Sequence, residues 1–147
     1  MKILAMASIG GHWIQLLRLT PAIKDFEVVY AATNEKCSTM VKGHQFYKIT
    51  DFNRWNPIKM FYAIIDGFRI IIKENPDFII TTGSAPCMIV LFIGKLFGCK
   101  TIWIESIANV EKQSLSGKIA SKFASRTYVQ WENLSTGGIK YEGSVLK

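Results

Sequence analysis

The sequence lacks several features that define whole classes of protein. Its three cysteines, Cys37, Cys87 and Cys99, lie far apart and share no metal-ligand spacing, which excludes a disulfide scaffold and predicts reduced thiols and no bound metal. No run of about 20 apolar residues is present, so no segment is predicted to span a membrane. No sustained repeat occurs, which excludes coiled coils, collagen and solenoids. Walker loops, the three-glycine dinucleotide fingerprint and triad signatures are also missing, and no cofactor is predicted.

What is present is an apolar, basic chain with the length of one domain. The 147 residues are 49% hydrophobic, which excludes disorder and predicts a single domain over residues 1–147. Lysine and arginine number 18 against 11 acidic residues, a formal charge of +7. Such a balance suits an anionic membrane surface, and basic charge alone fits nucleic acid equally well.

Apolar segments alternate with helical patterns along the chain. Strands are predicted at 2–8, 26–33, 46–50, 77–82, 100–105 and 126–131, and helices at 12–24, 57–74, 86–97 and 115–125, with 34–45 as a loop. This alternation predicts crossover connections and a parallel sheet. The strands are apolar without alternation, which indicates that helices cover both faces. The predicted fold class is therefore α/β, a doubly wound parallel sheet.

Short polar or glycine-rich segments follow the strands, where ligands of such sheets bind. They are Ser8-Ile9-Gly10-Gly11-His12, Thr33-Asn34-Glu35, Gly83-Ser84-Ala85-Pro86, Glu105-Ser106 and Trp131-Glu132-Asn133. Because the carboxyl ends of parallel strands share one edge of the sheet, we expect these segments to converge there.

The first of these segments, Ser8 to His12, offers two interpretations. Gly10 and Gly11 let the backbone come close to a ligand, and a helix amino end favours an anion such as phosphate. The same glycines also suit a plain strand-to-helix turn. His12 can act as a general base near neutral pH, or it can be a surface or capping histidine.

The later segments add further candidates. Gly83 can line an acceptor cleft, and Ser84 can do the same or cap the helix that follows. Glu105 ends a strand, where a carboxylate suits proton removal or hydroxyl orientation, or serves as a capping or ion-paired side chain; Ser106 lies beside it. Neither His12 nor Glu105 is expected to be needed for the core.

Residues 57–75 form a helix that is apolar almost all round. Such a helix is either buried between the sheet and a neighbour, or it also contacts lipid or a partner chain. Seven basic and two acidic residues lie between positions 36 and 73. This combination favours a membrane-surface patch, for which the candidates are Lys59, Phe61, Ile65, Phe68 and Arg69; a solvated basic face is the alternative.

Several motifs occur together in an order that resembles one family. They are Ser8-Ile9-Gly10-Gly11-His12, Thr82-Gly83-Ser84-Ala85-Pro86, Ile104-Glu105-Ser106-Ile107-Ala108-Asn109-Val110, Leu115-Ser116-Gly117-Lys118 and Tyr128-Val129-Gln130-Trp131. The chain resembles the acceptor-side subunit of two-part glycosyltransferases. These include the membrane-anchoring subunit of the UDP-N-acetylglucosamine transferase that adds the second sugar to dolichol-linked GlcNAc. Bacterial relatives are capsule and exopolysaccharide proteins that enhance a partner glycosyltransferase.

The resemblance implies a Rossmann-like domain equivalent to the N-terminal half of a GT-B glycosyltransferase. The nucleotide-sugar site would lie on a separate catalytic subunit, without which the chain would be inactive. His12 and Glu105 would face the acceptor, a lipid-pyrophosphate-linked sugar, and Ser8, Gly10, Gly11, Gly83, Ser84 and Ser106 would bind its sugar or diphosphate.

The resemblance also implies a place at the membrane. The eukaryotic subunit carries an amino-terminal anchor, whereas Met1 leads directly into the first strand here, so we expect attachment at the cytoplasmic face to be peripheral or to be supplied by the partner. Two alternatives stay open: a stand-alone nucleotide-binding α/β enzyme, and a basic nucleic-acid-binding module. No nucleic-acid partner is expected, because the basic residues cluster beside helix 57–75.

Overall fold

All seven strands of the structure, a computed structural model that describes residues 1–146, run parallel in one sheet. The strands are β1 (Lys2–Ala7), β2 (Glu27–Ala32), β3 (Phe46–Lys48), β4 (Phe78–Thr81), β5 (Lys100–Ile104), β6 (Arg126–Val129) and β7 (Ile139–Tyr141). Their spatial order is β3-β2-β1-β4-β5-β6-β7. This arrangement confirms the predicted parallel α/β sheet.

Five α-helices connect the strands of the described part of the chain. They are α1 (Gly11–Leu17), α2 (Thr20–Ile23), α3 (Pro57–Glu74), α4 (Ala85–Leu96) and α5 (Leu115–Ala120), with 3-10 helices at Glu35–Met40 and Glu132–Leu134. The boundaries of α3 agree with the prediction. Asn56 accepts a hydrogen bond from the Lys59 N–H at its start, and Asn75 ends it in the left-handed region at φ 44°.

Three predicted segments are wrong, and one of them, helix 115–125, already ends at Ala120 as α5. The expected helix 12–24 is interrupted, because Leu19 N–H turns back to Leu16 O and α2 begins anew with Pro21 in its first turn. A proline in the interior of one continuous helix would lack the N–H that its ladder requires. The expected loop 34–45 contains the 3-10 helix, whose Cys37 is buried.

The seventh strand, β7, was not predicted. It has three residues and pairs with β6, with Thr127 opposite Ile139. A segment this short at the edge of a sheet carries too little pattern for a sequence to reveal it. Residues 139–141 form a strand because they pair with β6, and their composition alone does not predict it.

Helices cover both faces of the sheet, as predicted. Ile3, Ala5 and Ala7 of β1 pack on the face that carries Trp13 and Leu16 of α1. Leu4 and Met6 point the other way, into the core beneath α3 and α4. Within residues 1–146, none of the helices combines the length and the apolar character needed to cross a bilayer.

Glycines allow α3 to pack closely against α4, and α4 to pack closely against β4. A Cβ atom on Gly67 of α3 would lie 2.7 Å from Ile93 Cδ1, and one on Gly94 of α4 would lie 2.0 Å from Ile79 Cδ1. Both distances are shorter than real carbon contacts.

Candidate functional site

The loops after β1, β2 and β4 meet at the carboxyl edge of the sheet. Ser8 N–H donates to Gly83 O at 3.3 Å, and Ile9 N–H donates to Thr33 Oγ1 at 3.0 Å. Convergence of these three segments was predicted from the parallel topology. Ser8, Gly10, Gly11 and Ser84 therefore lie in one region at this edge, and Gly83 is buried among them.

His12 is held on this edge by two hydrogen bonds with Thr82. Its Nδ1 lies 2.8 Å from Thr82 O, and Thr82 Oγ1 donates to His12 O at 2.7 Å. Because a carbonyl oxygen only accepts, this contact assigns the proton to Nδ1. The neutral ring then carries its lone pair on Nε2, which is the arrangement that a general base requires.

Gly83 makes room for the His12 ring. It has a φ of 118°, and a Cβ atom there would lie 2.8 Å from Cε1 and 2.9 Å from Nδ1 of His12. Any side chain at this position would displace the imidazole as well as strain the backbone. Gly83 is therefore required for packing against the His12 ring, in addition to its predicted role in lining the acceptor cleft.

The glycines before His12 leave that side of the loop open. Gly10 has a φ of 98° and immediately precedes α1, and no atom lies within 4 Å of a Cβ built on Gly10 or Gly11. Ser8 is half-buried beside them. The backbone of residues 10–11 is thus accessible to a ligand.

Ser84 does not cap α4, so the capping interpretation is wrong. It occupies the N-cap position but its side chain makes no capping hydrogen bond. Within residues 1–146 its Oγ is buried without a hydrogen-bond partner. Burial raises the pKa of the nearby Cys87 thiol to about 11, so this thiol is protonated at neutral pH and is not a nucleophile of the site.

Glu105 is part of the core, contrary to expectation. Its side chain is only 1% exposed. Oε1 accepts from Asn109 Nδ2 at 2.6 Å and from Ser106 N–H at 3.3 Å, and Oε2 accepts from Trp103 Nε1 at 3.3 Å. A Cβ on Gly117 of α5 would lie 1.7 Å from Oε2. The carboxylate thus fills the space between the end of β5 and α5 and organises the loop between them.

Gln15 joins α1, the helix that carries His12, to the backbone at Glu105 and Ile107, and the sequence did not reveal this role. It is buried on α1, three residues after His12; its Nε2 donates to Glu105 O at 3.0 Å, and its Oε1 accepts from Ile107 N–H at 3.1 Å. The available signal was spacing, since side chains at positions i and i+3 of a helix are neighbours on its surface. Ser106 is half-buried in the loop that Gln15 holds.

Helix α3 presents two apolar stripes. The inner stripe, Ala63, Gly67, Ile70 and Ile71, is buried. The outer stripe, whose residues are spaced three or four apart, faces solvent: Ile58, Phe61, Ile65, Phe68 and Ile72. A wholly buried helix is therefore excluded.

The predicted membrane-patch residues all belong to this exposed side. Phe61 is 61% exposed, Ile65 36% and Phe68 39%, and Lys59 and Arg69 are exposed as well. The apolar surface continues onto α4 through Phe92 and Leu96 and onto α5 through Ile119. An apolar area of this extent is unusual on a protein that remains in water.

A family model described as "Oligosaccharide biosynthesis protein Alg14 like" matches residues 3–145. The UDP-N-acetylglucosamine transferase subunit alg14 of Schizosaccharomyces pombe is 33% identical over 88 residues, covering 54% of this chain and 42% of that protein. The Candida albicans subunit ALG14 is 38% identical over 79 residues, covering 50% and 36%. The Mus musculus subunit ALG14 is 24% identical over 179 residues, covering 99% and 81%. The matched regions thus span less than half of the two fungal relatives.

Solved structures show the same fold. Acinetobacter baumannii MurG superimposes with a TM-score of 0.78 at 17% identity, covering 95% of this chain and 44% of that one. A UDP-N-acetylglucosamine 2-epimerase from Rickettsia bellii gives 0.76 at 10% identity, covering 99% and 45%. These similarities confirm a Rossmann-like domain equivalent to one half of a GT-B protein. With the match over residues 3–145, the chain belongs to the Alg14-like family of oligosaccharide biosynthesis proteins.

Proposed function

We propose that this chain is the acceptor-binding subunit of a two-part, UDP-sugar-dependent glycosyltransferase. The observation that carries the proposal is the family match over residues 3–145, on a domain that corresponds to 44% of MurG. Its relatives are named as subunits of a UDP-N-acetylglucosamine transferase. The acceptor is a sugar linked to lipid through pyrophosphate, in the synthesis of lipid-linked oligosaccharide, capsule or exopolysaccharide.

The carboxyl edge supplies the acceptor site. The open backbone at Gly10 and Gly11 and the unpartnered hydroxyl of Ser84 bind the diphosphate, assisted by Ser8, Gly83 and Ser106. His12 Nε2 removes the proton of the attacking hydroxyl or contacts the diphosphate. Glu105 is a positioning residue, because its carboxylate is buried and accepts three hydrogen bonds from the protein.

The chain alone is expected to transfer no sugar. One Rossmann-like half lacks the opposite half that would hold the donor in a GT-B enzyme. The test is to incubate purified chain with UDP-GlcNAc and a lipid-pyrophosphate-linked acceptor, with and without a catalytic partner subunit. Turnover only in the mixture supports the proposal, whereas robust turnover by the single chain would contradict a divided enzyme.

Peripheral attachment to the cytoplasmic face of the membrane is the second part of the proposal. The outer stripe of α3 would enter the interface, and Lys59 and Arg69 would contact anionic head groups, each contributing about 1 kcal/mol. Attachment on this side leaves the carboxyl edge close to a membrane-bound acceptor.

The Phe61→Ser variant is expected to bind anionic vesicles at least about fivefold more weakly than wild type, because burying a phenylalanine side chain stabilises by about 1.5–3 kcal/mol. Phe26→Ser is the matched control, since Phe26 is 41% exposed but lies outside α3, α4 and α5. Co-sedimentation at several salt concentrations measures the effect, and binding should weaken as salt rises. Equal binding by the two variants would rule out the α3 patch as the attachment surface.

A further inference from the structure

Helices α3, α4 and α5 enclose an apolar cleft of about 420 Å³, here named the helix cleft. Ile64 and Phe68 of α3, Met88 and Leu96 of α4, and Ile119 of α5 are among its lining residues, every one of which is apolar. Its volume is within the range of small-molecule sites. The helix cleft is distinct from the outer stripe, with which it shares only Phe68.

The chain itself leaves the helix cleft open. Leu96 is 66% exposed and Ile119 41% exposed at its border. An open slot without polar groups is poorly hydrated and gains free energy when an apolar group fills it. The lining therefore selects a hydrocarbon occupant.

The helix cleft leads away from the candidate acceptor site. Helix α4 begins immediately after Ser84, at the carboxyl edge, and the cleft follows the same helix from Met88 to Leu96. The eight residue-to-residue steps from Met88 to Leu96 span about 12 Å at 1.5 Å per residue. A molecule with its polar head at Ser84 can thus extend its chain along α4 without leaving the protein surface.

The charges around the helix cleft favour a lipid over an apolar protein segment. Lys59 and Arg69 on α3 and Lys118 on α5 are exposed, and the ion pairs found within residues 1–146 involve none of them. The acid on this part of α3, Asp66, is turned toward β3 and accepts two hydrogen bonds from Thr50. Arg69 directly follows Phe68 and Lys118 directly precedes Ile119, and both Phe68 and Ile119 line the cleft. An anionic head group joined to a hydrocarbon chain therefore complements these neighbouring cations as well as the apolar slot.

We propose that the helix cleft holds the first part of the hydrocarbon chain of the lipid-linked acceptor, whose diphosphate lies at the carboxyl edge. This inference rests on the proposed function and deepens it, because it gives the lipid moiety of the substrate its own subsite. Membrane attachment through the outer stripe does not require it. The protein therefore recognises the acceptor by its chain as well as by its sugar and diphosphate.

Methyl NMR of the full chain tests the subsite with farnesyl phosphate below its aggregation concentration. Of the five methionines, Met88 lines the helix cleft, whereas Met40 is 53% exposed on a distant 3-10 helix. A saturable shift of the Met88 methyl signal, without one at Met40, is the expected result. Farnesol should reproduce the Met88 shift and inorganic phosphate should not, because the chain occupies the cleft.

Two matched substitutions separate the helix cleft from the membrane surface. Ile119→Trp places a large apolar ring in the cleft, whereas Ile72→Trp adds the same ring on the outer stripe, at a site 65% exposed. Ile119→Trp should weaken farnesyl phosphate binding at least about tenfold, or 1.4 kcal/mol, and Ile72→Trp should leave it unchanged. Because tryptophan is itself apolar, neither substitution removes apolar surface from the side that would contact the membrane, and neither variant should bind anionic vesicles more weakly than wild type.

The outcomes distinguish this inference from the proposed function. Intact vesicle binding without a saturable Met88 response, or with equal responses at Met88 and Met40, overturns the chain subsite and leaves membrane attachment standing. Loss of vesicle binding by wild type contradicts the attachment instead. If addition of the catalytic subunit displaced farnesyl phosphate from Met88, the helix cleft would be the docking site of that subunit, and the inference would be overturned.

Discussion

In complex with its catalytic partner, the His12→Ala variant is expected to retain at most about one tenth of wild-type turnover, since positioned proton transfer contributes 100-fold to 10,000-fold. The structure holds the His12 ring by its Nδ1 proton on Thr82 O and by the packing of Gly83 against it. Alanine removes the Nε2 lone pair that faces away from these contacts. The main effect should be on kcat, measured with a lipid-pyrophosphate-linked acceptor at saturation.

His44→Ala is the control for this experiment. His44 is the other histidine of the chain, and it lies in the loop before β3, at the opposite edge of the sheet, with Nδ1 3.2 Å from Val28 O. Its replacement should leave turnover unchanged. The His12 variant should also lose the acidic limb of the pH-rate profile, because that limb reports protonation of the base. If a folded, partner-bound His12→Ala protein kept wild-type turnover, the segment from Ser8 to His12 would be a structural turn without a catalytic role.

The Gly117→Ala variant is expected to lower the free energy of unfolding by about 1–3 kcal/mol, a typical cost of overpacking. Helix propensity alone would raise the free energy of unfolding by up to about 1 kcal/mol when alanine replaces glycine. A decrease would therefore identify overpacking as the dominant effect. The new Cβ would lie 1.7 Å from Glu105 Oε2, and the carboxylate can move only by breaking hydrogen bonds with Trp103 and Asn109. Denaturant unfolding measures the difference.

Gly138→Ala provides the matched control, since nothing lies within 4 Å of a Cβ at that position. Its unfolding free energy should change by less than about 0.5 kcal/mol, as is usual for surface substitutions. A double-mutant cycle with Glu105→Ala identifies the contact: the double variant should be more stable than the sum of the single effects predicts. Additive effects, or a Gly117→Ala protein as stable as wild type, would mean that Glu105 does not hold α5 in place.

Local signals explain why much of the fold was predictable. Parallel strands with both faces covered appear as uninterrupted apolar segments, and β1, β2, β4 and β5 all do. The ends of α3 depend on the conformational preferences of Asn56, Pro57 and Asn75, which act over a few residues. The loops after β1, β2 and β4 meet at one edge because the strands are parallel, so their meeting could be predicted once the topology was predicted.

The sequence by itself thus determined the parallel sheet, the limits of α3 and the convergence of the segments that contain His12 and Gly83, because these depend on neighbours along the chain. Only the tertiary structure decided that Glu105 is buried, that Gln15 joins it to α1, and that α3 has an exposed outer stripe beside the helix cleft. Gln15 and Glu105 are 90 positions apart, and no local preference encodes that hydrogen bond. Burial of a side chain is set by what the rest of the chain places against it, which periodicity alone does not specify.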